Sequence, residues 1–89
     1  MSDEAMDELT AAVEDALTLA QGRKGDFNGA INWADLYCAE AGYMVTKGQK
    51  YWRVVIEEAA PENADLCRFV YDYLLAAGWP SELEVACEW

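Results

Sequence analysis

The chain has 89 residues, 54% of them hydrophobic, and seventeen acids against six bases give a formal net charge of −11. This hydrophobic content excludes a disordered chain, and the lack of an apolar run of ~20 residues excludes a membrane-spanning helix. A single domain over residues 1–89 with one modest core is expected. Because the first residues, MSDEAMDE, lack the basic start of a signal peptide, a cytoplasmic protein is the simplest interpretation.

Residues 3–21 are predicted to form an amphipathic helix, because apolar side chains recur there at spacings of three and four. Ser2 or Asp3 can cap the start of this helix, and Gly22 suits its end. The apolar stripe contains Met6, Leu9, Val13, Ala16, Leu17 and Ala20. Two adjacent rows of acids face away from it, the first with Asp3, Asp7 and Glu14 and the second with Glu4, Glu8 and Asp15.

The segment after this helix fits more than one structure. Residues 23–29 are polar and rich in glycine, which is typical of a connection. Within residues 30–42, helical spacing relates Trp33, Leu36 and Tyr37. Alternation along a strand relates Tyr37, Ala39, Ala41 and Tyr43. We favour a strand from about residue 36 to residue 46, with a short helix before Gly42 as the alternative.

Residues 43–58 are predicted to form a β-hairpin around which the other segments pack. Its two arms are rich in aromatic and β-branched residues, and residues 47–50 between them include Gly48 as a turn former. The more apolar face of the second arm carries Trp52, Val54 and Ile56. Because a lone hairpin is marginally stable in water, the remaining segments are expected to cover this face.

A second helix is predicted to begin at Pro61, with Glu62 and Asp65 in its first turn, and to stop at Gly78. Its apolar stripe contains Leu66, Phe69, Val70, Tyr73, Leu74 and Ala77. Residues 82–89 then alternate as a half-buried strand with an acidic outer side. The inner side has Leu83, Val85 and Cys87, and the outer side has Glu82, Glu84, Ala86 and Glu88.

The predicted order is therefore helix, strand, strand, helix, strand, which places the chain in the α+β class. Each helix has one apolar stripe, and the sheet needs a cover. We therefore expect a small antiparallel or mixed three-stranded sheet with two helices on one face, in the order α-β-β-α-β. The pattern leaves open whether the last strand pairs in parallel.

No motif typical of a catalytic site is found in this sequence. It contains no histidine, so the commonest general base near neutral pH is missing. Cys38, Cys67 and Cys87 lie far apart in the sequence without a CxxC motif, which gives a zinc site little support, and their odd number argues against a disulfide framework. They are expected to be small, buried or half-buried thiols, with reactive or metal-binding cysteines as the alternative. Glu57 and Glu58 would serve as bases only if burial raised their pKa, and acids at a strand end are usually solvated. We therefore expect a non-enzymatic protein without a metal or cofactor.

The net charge bears most directly on function. Five of the six basic residues form two small groups, Arg23 with Lys24 and Lys47 with Lys50 and Arg53. Direct binding of nucleic acid is therefore not expected, and the second group is expected to balance the acids around it. The charge attracts basic surfaces over about a Debye length, ~8 Å at physiological salt. The net charge has three interpretations: a basic protein partner, a bound cation, or simple solubility, which includes adaptation to a salty medium.

In size, charge and single-domain build, the chain resembles a known class of proteins. This class comprises small, acidic, cytosolic inhibitors from bacteriophages and mobile elements, including anti-CRISPR and anti-restriction proteins that mimic DNA. The resemblance covers the whole chain and includes no shared motif, so it assigns no residue roles. It implies a protein that occupies the DNA- or PAM-reading groove of a bacterial defence complex, such as a Cas effector, in the host cytoplasm.

Mimicry of DNA requires carboxylates held on regular elements at phosphate-like separations, because B-DNA presents one charge per ~1.7 Å of axis over both strands. The candidate partner-binding residues are Asp3, Glu4, Asp7, Glu8, Glu14, Asp15, Glu82, Glu84 and Glu88. The same acids on the first helix also fit an ordinary solvated surface, since negative charge is favourable near a helix N-terminus.

Aromatic side chains offer a second route to a partner. The chain has four tryptophans, and although most are expected in the core, Trp and Tyr are also frequent interface anchors. Trp52 and Trp89 are the candidate anchors. If these two side chains are exposed, the alternative is a small adaptor or homodimerisation module that uses aromatic and sheet-edge contacts.

Overall fold

A computed structural model describes residues 2–27, 30–61 and 63–89, with side chains from Glu4 onward. It contains α1 (Ser2–Gln21), a 3-10 turn (Lys24–Asp26), β1 (Tyr37–Thr46), β2 (Gln49–Glu57), α2 (Ala64–Ala76) and β3 (Leu83–Glu88). This order confirms the predicted α-β-β-α-β arrangement. Neither described helix is long and apolar enough to cross a membrane. The predictions for the side chains of Ser2 and Asp3, for Asn28 and Gly29, and for Glu62 lie outside the described residues.

The three strands form one mixed sheet in the order β1-β2-β3. β2 lies in the middle, antiparallel to β1 and parallel to β3. The pairing of β1 with β2 shifts between Cys38 and Glu40, a bulge that leaves Ala39 without a Cα partner. The sheet is mixed because α2 crosses over between β2 and β3 and returns the chain in the same direction.

One face of this sheet and both helices enclose the hydrophobic core. From the sheet, Val54, Ile56, Leu83 and Cys87 belong to it. From the helices it receives Leu9, Val13, Ala16, Leu17, Ala20, Leu66, Val70 and Leu74. The predicted apolar stripes therefore cover one face of the sheet, as expected. Met6 and Ala77, predicted in those stripes, are exposed; Met6 lies near the start of α1, and Ala77 follows the last residue of α2.

The segment between α1 and β1 is held by aromatic packing. Phe27 lies with its ring centroid 5.8 Å from that of Trp33 and 5.4 Å from that of Phe69 on α2. The strand predicted from residue 36 to residue 46 is confirmed as β1, and the alternative helix before Gly42 is wrong. The bulge in β1 interrupts the alternation predicted from Tyr37 to Tyr43. Tyr37 lies opposite Glu57 and Tyr43 lies opposite Trp52, so the two tyrosines are on opposite faces of the sheet.

The hairpin turn is shorter than predicted. Residues 47–50 are the predicted turn, but only Lys47 and Gly48 form it, and β2 begins at Gln49. The φ angles of these two turn residues are 54° and 78°. A two-residue turn with two positive φ angles matches the right-handed twist of paired strands, so the pairing continues to Thr46 and Gln49.

The start of α2 also differs from the prediction. Pro61 precedes the helix in a turn, and the first helical residue is Ala64. Asn63 is only 1% exposed, and its side-chain amide donates to the Ala30 carbonyl over 3.1 Å. Its backbone N–H donates to the Ala60 carbonyl over 2.9 Å. The backbone bond closes a turn before the helix, and the side-chain bond connects this turn to the segment before β1; the proline alone reveals neither bond.

The end of α2 follows the prediction. Gly78 has a φ of 102° and donates its N–H to the Leu75 carbonyl over 3.1 Å. The N–H of Trp79 donates to the Leu74 carbonyl over 3.0 Å. This pair of bonds is a Schellman motif, which satisfies the last carbonyls of the helix and turns the chain toward β3.

We expect Leu9→Ala to destabilise the protein by about 2–5 kcal/mol, because Leu9 is fully buried in the core. Leu19→Ala is the matched control on the same helix. Leu19 is 52% exposed, so its substitution should change the free energy of unfolding by no more than about 0.5 kcal/mol. Urea unfolding followed by circular dichroism measures both values. Equal losses of unfolding free energy in the two variants would contradict the assignment of Leu9 to the core and of Leu19 to the exposed side of α1.

Candidate acidic binding surface

The outer side of α1 carries a group of exposed carboxylates, here called the α1 acidic surface. It consists of Glu4, Asp7, Glu8, Glu14 and Asp15. At about 3.6 residues per turn, these positions lie within about 120° of the helix circumference and are centred opposite the buried stripe. Burial of Leu9, Val13 and Ala20 therefore fixes the side on which the carboxylates project. Asp3 belongs to the same rows by sequence, but its side chain lies outside the described part of the chain.

In the part of the chain that the structure describes, no basic side chain pairs with the α1 acidic surface. The ion pairs found there are Arg53 with Glu40, Arg53 with Glu84, and Arg68 with Asp72. The bases that follow α1 in sequence contact aromatic rings: Arg23 lies 5.9 Å from the ring centroid of Phe69, and Lys24 lies 5.9 Å from that of Trp33. Because no described base pairs with these carboxylates, the charge of this surface is available to a partner.

The charge density of the α1 acidic surface is close to that of a DNA strand. Glu4 and Asp15 are about 16 Å apart along the axis, at ~1.5 Å per residue. Five carboxylates over this length give about one charge per 4 Å, against ~3.4 Å for one strand of B-DNA. The charges are not evenly spaced, since about 9 Å of axis separates Glu8 from Glu14. The surface therefore presents its negative charge in two groups on one rigid element, and the carboxylates are closely spaced within each group.

The sheet face opposite the helices, here called the open sheet face, is a second acidic region. Its acids are Glu40, Glu57, Glu84 and Glu88. Arg53 lies among them, with Nε 3.0 Å from a Glu84 oxygen and Nη1 3.5 Å from a Glu40 oxygen. The Tyr37 hydroxyl donates to the Glu57 carboxylate over 2.6 Å, and this bond raises the pKa of Tyr37. Unlike the α1 acidic surface, the open sheet face is partly compensated from within.

The structure does not bring the predicted binding acids together on one surface. Leu83 and Cys87 point into the core, so Glu84 and Glu88, which alternate with them, face away from the helices. Glu82 lies just before β3, beside the end of the hairpin. A partner that contacted both the strand acids and α1 would have to wrap around the sheet. The helix-borne and strand-borne acids are therefore two separate groups, because the sheet lies between them.

The two candidate aromatic anchors differ in exposure. Trp52 is half-buried between Tyr43 and Trp79, with ring centroids 5.0 Å and 5.3 Å from its own. Trp89, in contrast, is 68% exposed beyond the end of β3. Tyr43 and Val45 of β1 are also exposed near the hairpin turn. Trp52 therefore contributes mainly to packing, whereas Trp89 is accessible to a partner.

The described side chains also bear on chemistry and metal binding. Among them, no group of three or more Cys, Asp or Glu residues is placed to hold a metal ion. Burial and the nearby carboxylate of Glu14 raise the pKa of Cys38 to about 11, so this thiol is protonated at neutral pH. A shallow, open cleft near the hairpin turn is lined by Thr46, Lys47, Gln49, Tyr51 and Glu84. It lacks the enclosed apolar lining that is typical of small-molecule sites.

Comparisons with protein-family models, with curated proteins and with solved structures found no match to this chain. Its functional interpretation therefore depends on the geometry of its own residues. Of the two acidic regions, the α1 acidic surface combines exposure, a fixed helical frame and the lack of a described ion-pair partner. It is the stronger candidate for a binding site.

We expect Arg53→Gln to destabilise the protein by up to about 1 kcal/mol, because the carboxylates of Glu40 and Glu84 would lose the cation between them. These pairs are partly exposed, so the loss should shrink as salt is raised. Urea unfolding at low and high salt measures the effect.

Lys47→Gln is the matched control for Arg53→Gln, because it also removes one positive charge. Lys47 lies in the hairpin turn and has no ion pair among the described residues. We therefore expect it to change the free energy of unfolding by less than Arg53→Gln does. Equal losses for the two variants would show that total charge matters and that the position of Arg53 does not.

Proposed function

We propose that this protein is a non-enzymatic inhibitor whose α1 acidic surface binds a basic groove in which another protein holds nucleic acid. The groove belongs to a bacterial defence complex such as a Cas effector, and the encounter takes place in the cytoplasm. One observation carries this proposal: five exposed carboxylates lie on one side of a single helix without ion-pair partners in the described part of the chain.

The mechanism is electrostatic competition and includes no covalent step. Lysine and arginine side chains in a nucleic-acid-binding groove neutralise phosphates, and the associated counterions are released. Carboxylates at a similar linear density can take the place of the phosphates. The net charge of −11 steers the protein toward the groove, and the bound protein then excludes DNA from the same space.

The rigidity of α1 supports this mechanism over simple attraction of an acidic chain. Leu9, Val13 and Ala20 are fully buried, so the helix is already fixed before it meets a partner. Binding then costs little conformational entropy of the backbone, which a flexible acidic tail would lose. Leu19 is 52% exposed on the same helix, four residues after Asp15, and it offers an apolar contact beside the charges.

We expect neutralisation of the α1 acidic surface to abolish inhibition while preserving the fold. The variant combines Asp7→Asn, Glu8→Gln, Glu14→Gln and Asp15→Asn, all at exposed positions. It should fail to displace DNA because four of the five carboxylates of the α1 acidic surface are neutralised. The measurement is the displacement of a labelled DNA duplex from a guide-loaded Cas effector, and circular dichroism checks the fold.

A second variant with the same change in charge controls for location. It combines Glu57→Gln, Glu82→Gln, Glu84→Gln and Glu88→Gln, on the open sheet face and beside the hairpin end. We expect this variant to displace DNA as the wild type does. If both variants lose DNA displacement equally, the total charge determines inhibition and the location of the carboxylates does not. If only this control loses DNA displacement, the binding site lies on the open sheet face instead.

A homodimerisation or adaptor module is a second candidate function. The observation in its favour is the exposure of apolar side chains on β1 near the hairpin turn. Tyr43 and Val45 are 49% and 62% exposed on β1. β1 is an edge strand, and no described strand pairs with its outer side. Edge strands with exposed apolar side chains are suited to pairing with another chain.

Light scattering after size exclusion tests this second candidate. If β1 pairs with another copy, the wild type should be a dimer, and Val45→Lys should make it a monomer because it places a charge in the interface. Neutralisation of the α1 acidic surface should leave such a dimer intact. A monomer at every concentration would contradict homodimerisation.

A further inference from the structure

The thiols of Cys67 on α2 and Cys87 on β3 are in direct contact. Their Sγ atoms lie 2.9 Å apart, although the residues are 20 positions apart in the sequence. The packing of α2 against β3 produces this contact. A disulfide bond is ~2.05 Å long, so an approach of about 0.9 Å would join the two sulfur atoms.

The two thiols differ in acidity and accessibility. The hydrogen bond between the two thiols lowers the pKa of Cys67, and the same bond together with burial raises the pKa of Cys87. Cys67 also lies in the first turn of α2, where its N–H donates to the Asn63 carbonyl and the positive end of the helix dipole favours a thiolate. Cys67 is half-buried, whereas Cys87 is 6% exposed. A reagent in solution therefore reaches Cys67 first.

We propose that Cys67 and Cys87 form a thiol–disulfide exchange site, in which Cys67 attacks a small disulfide such as glutathione disulfide and Cys87 resolves the product. In the first step, the Cys67 thiolate bonds to one sulfur of glutathione disulfide. The sulfur–sulfur bond of the reagent breaks, and one glutathione leaves as a thiolate that takes up a proton.

In the second step, Cys87 completes the protein disulfide. Its thiol loses its proton and attacks the sulfur of Cys67 in the mixed disulfide, and the second glutathione leaves and is protonated. Two protein thiols have then been oxidised to one disulfide, and one glutathione disulfide has been reduced to two molecules of glutathione. The new bond connects the first turn of α2 to β3 and restricts the unfolded chain between these residues.

Cys38 provides an internal comparison within the same chain. Its Sγ contacts the Glu40 carbonyl oxygen over 3.5 Å, and its pKa is raised to about 11. It therefore has far less thiolate than Cys67 at neutral pH and should react at least about ten-fold more slowly.

The test is incubation of the folded protein with glutathione disulfide near neutral pH, followed by blocking of the remaining thiols with N-ethylmaleimide in denaturant. Intact mass then counts the blocked thiols. The wild type should show one blocked cysteine, and Cys38→Ser should show none. Cys87→Ser should accumulate one glutathione adduct at Cys67, because the resolving thiol is missing. Cys67→Ser should form its adduct at least about ten-fold more slowly.

Three blocked cysteines in the wild type would overturn the site. So would glutathione adducts that form equally fast in Cys67→Ser and Cys87→Ser, or a first adduct at Cys38. Circular dichroism shows whether the serine variants fold, and if one does not, the thiol counts of the wild type and Cys38→Ser decide. The oxidised wild type should also melt at least about 5 °C above the reduced form, and a lower Tm would contradict a bond formed within the packed contact.

Discussion

The structure depends on the burial of Val54 and Ile56, the two fully buried residues that β2 contributes to the core under the helices. β2 pairs with β1 on one side and with β3 on the other, so its position fixes both neighbours. The apolar stripes of α1 and α2 then have one common surface to cover. Because a helix can turn only one side toward such a surface, the outer side of α1 is determined by the same packing.

This constraint divides the acids into two groups with different surroundings. On the open sheet face, Arg53 and Tyr37 interact with the carboxylates around them. On α1, no described base reaches the acids, although the two regions have similar numbers of carboxylates. The two regions therefore differ in how far bases within the protein compensate their share of the net charge of −11. We propose that cations of a partner pair with the surface that lacks compensation within the protein.

Much of the fold could be predicted from the sequence because its signals are local. The period of the two helices, the alternation of β3 and the positive φ of Gly78 each depend on residues close in the chain. The start of α2 was misplaced because the bond between Asn63 and Ala30 links distant residues. The contact of Cys67 with Cys87 and the separation of the two acidic groups could not be predicted either, since both depend on how the layers pack.

The salt dependence of binding to a guide-loaded Cas effector tests most directly whether the α1 acidic surface replaces phosphates. The association constant is measured between about 50 and 200 mM salt. If all five carboxylates pair with cations of the groove, its logarithm should fall linearly with the logarithm of salt, by about two to three orders of magnitude over this range. An association constant that stays the same across this range would contradict electrostatic mimicry of nucleic acid by this protein.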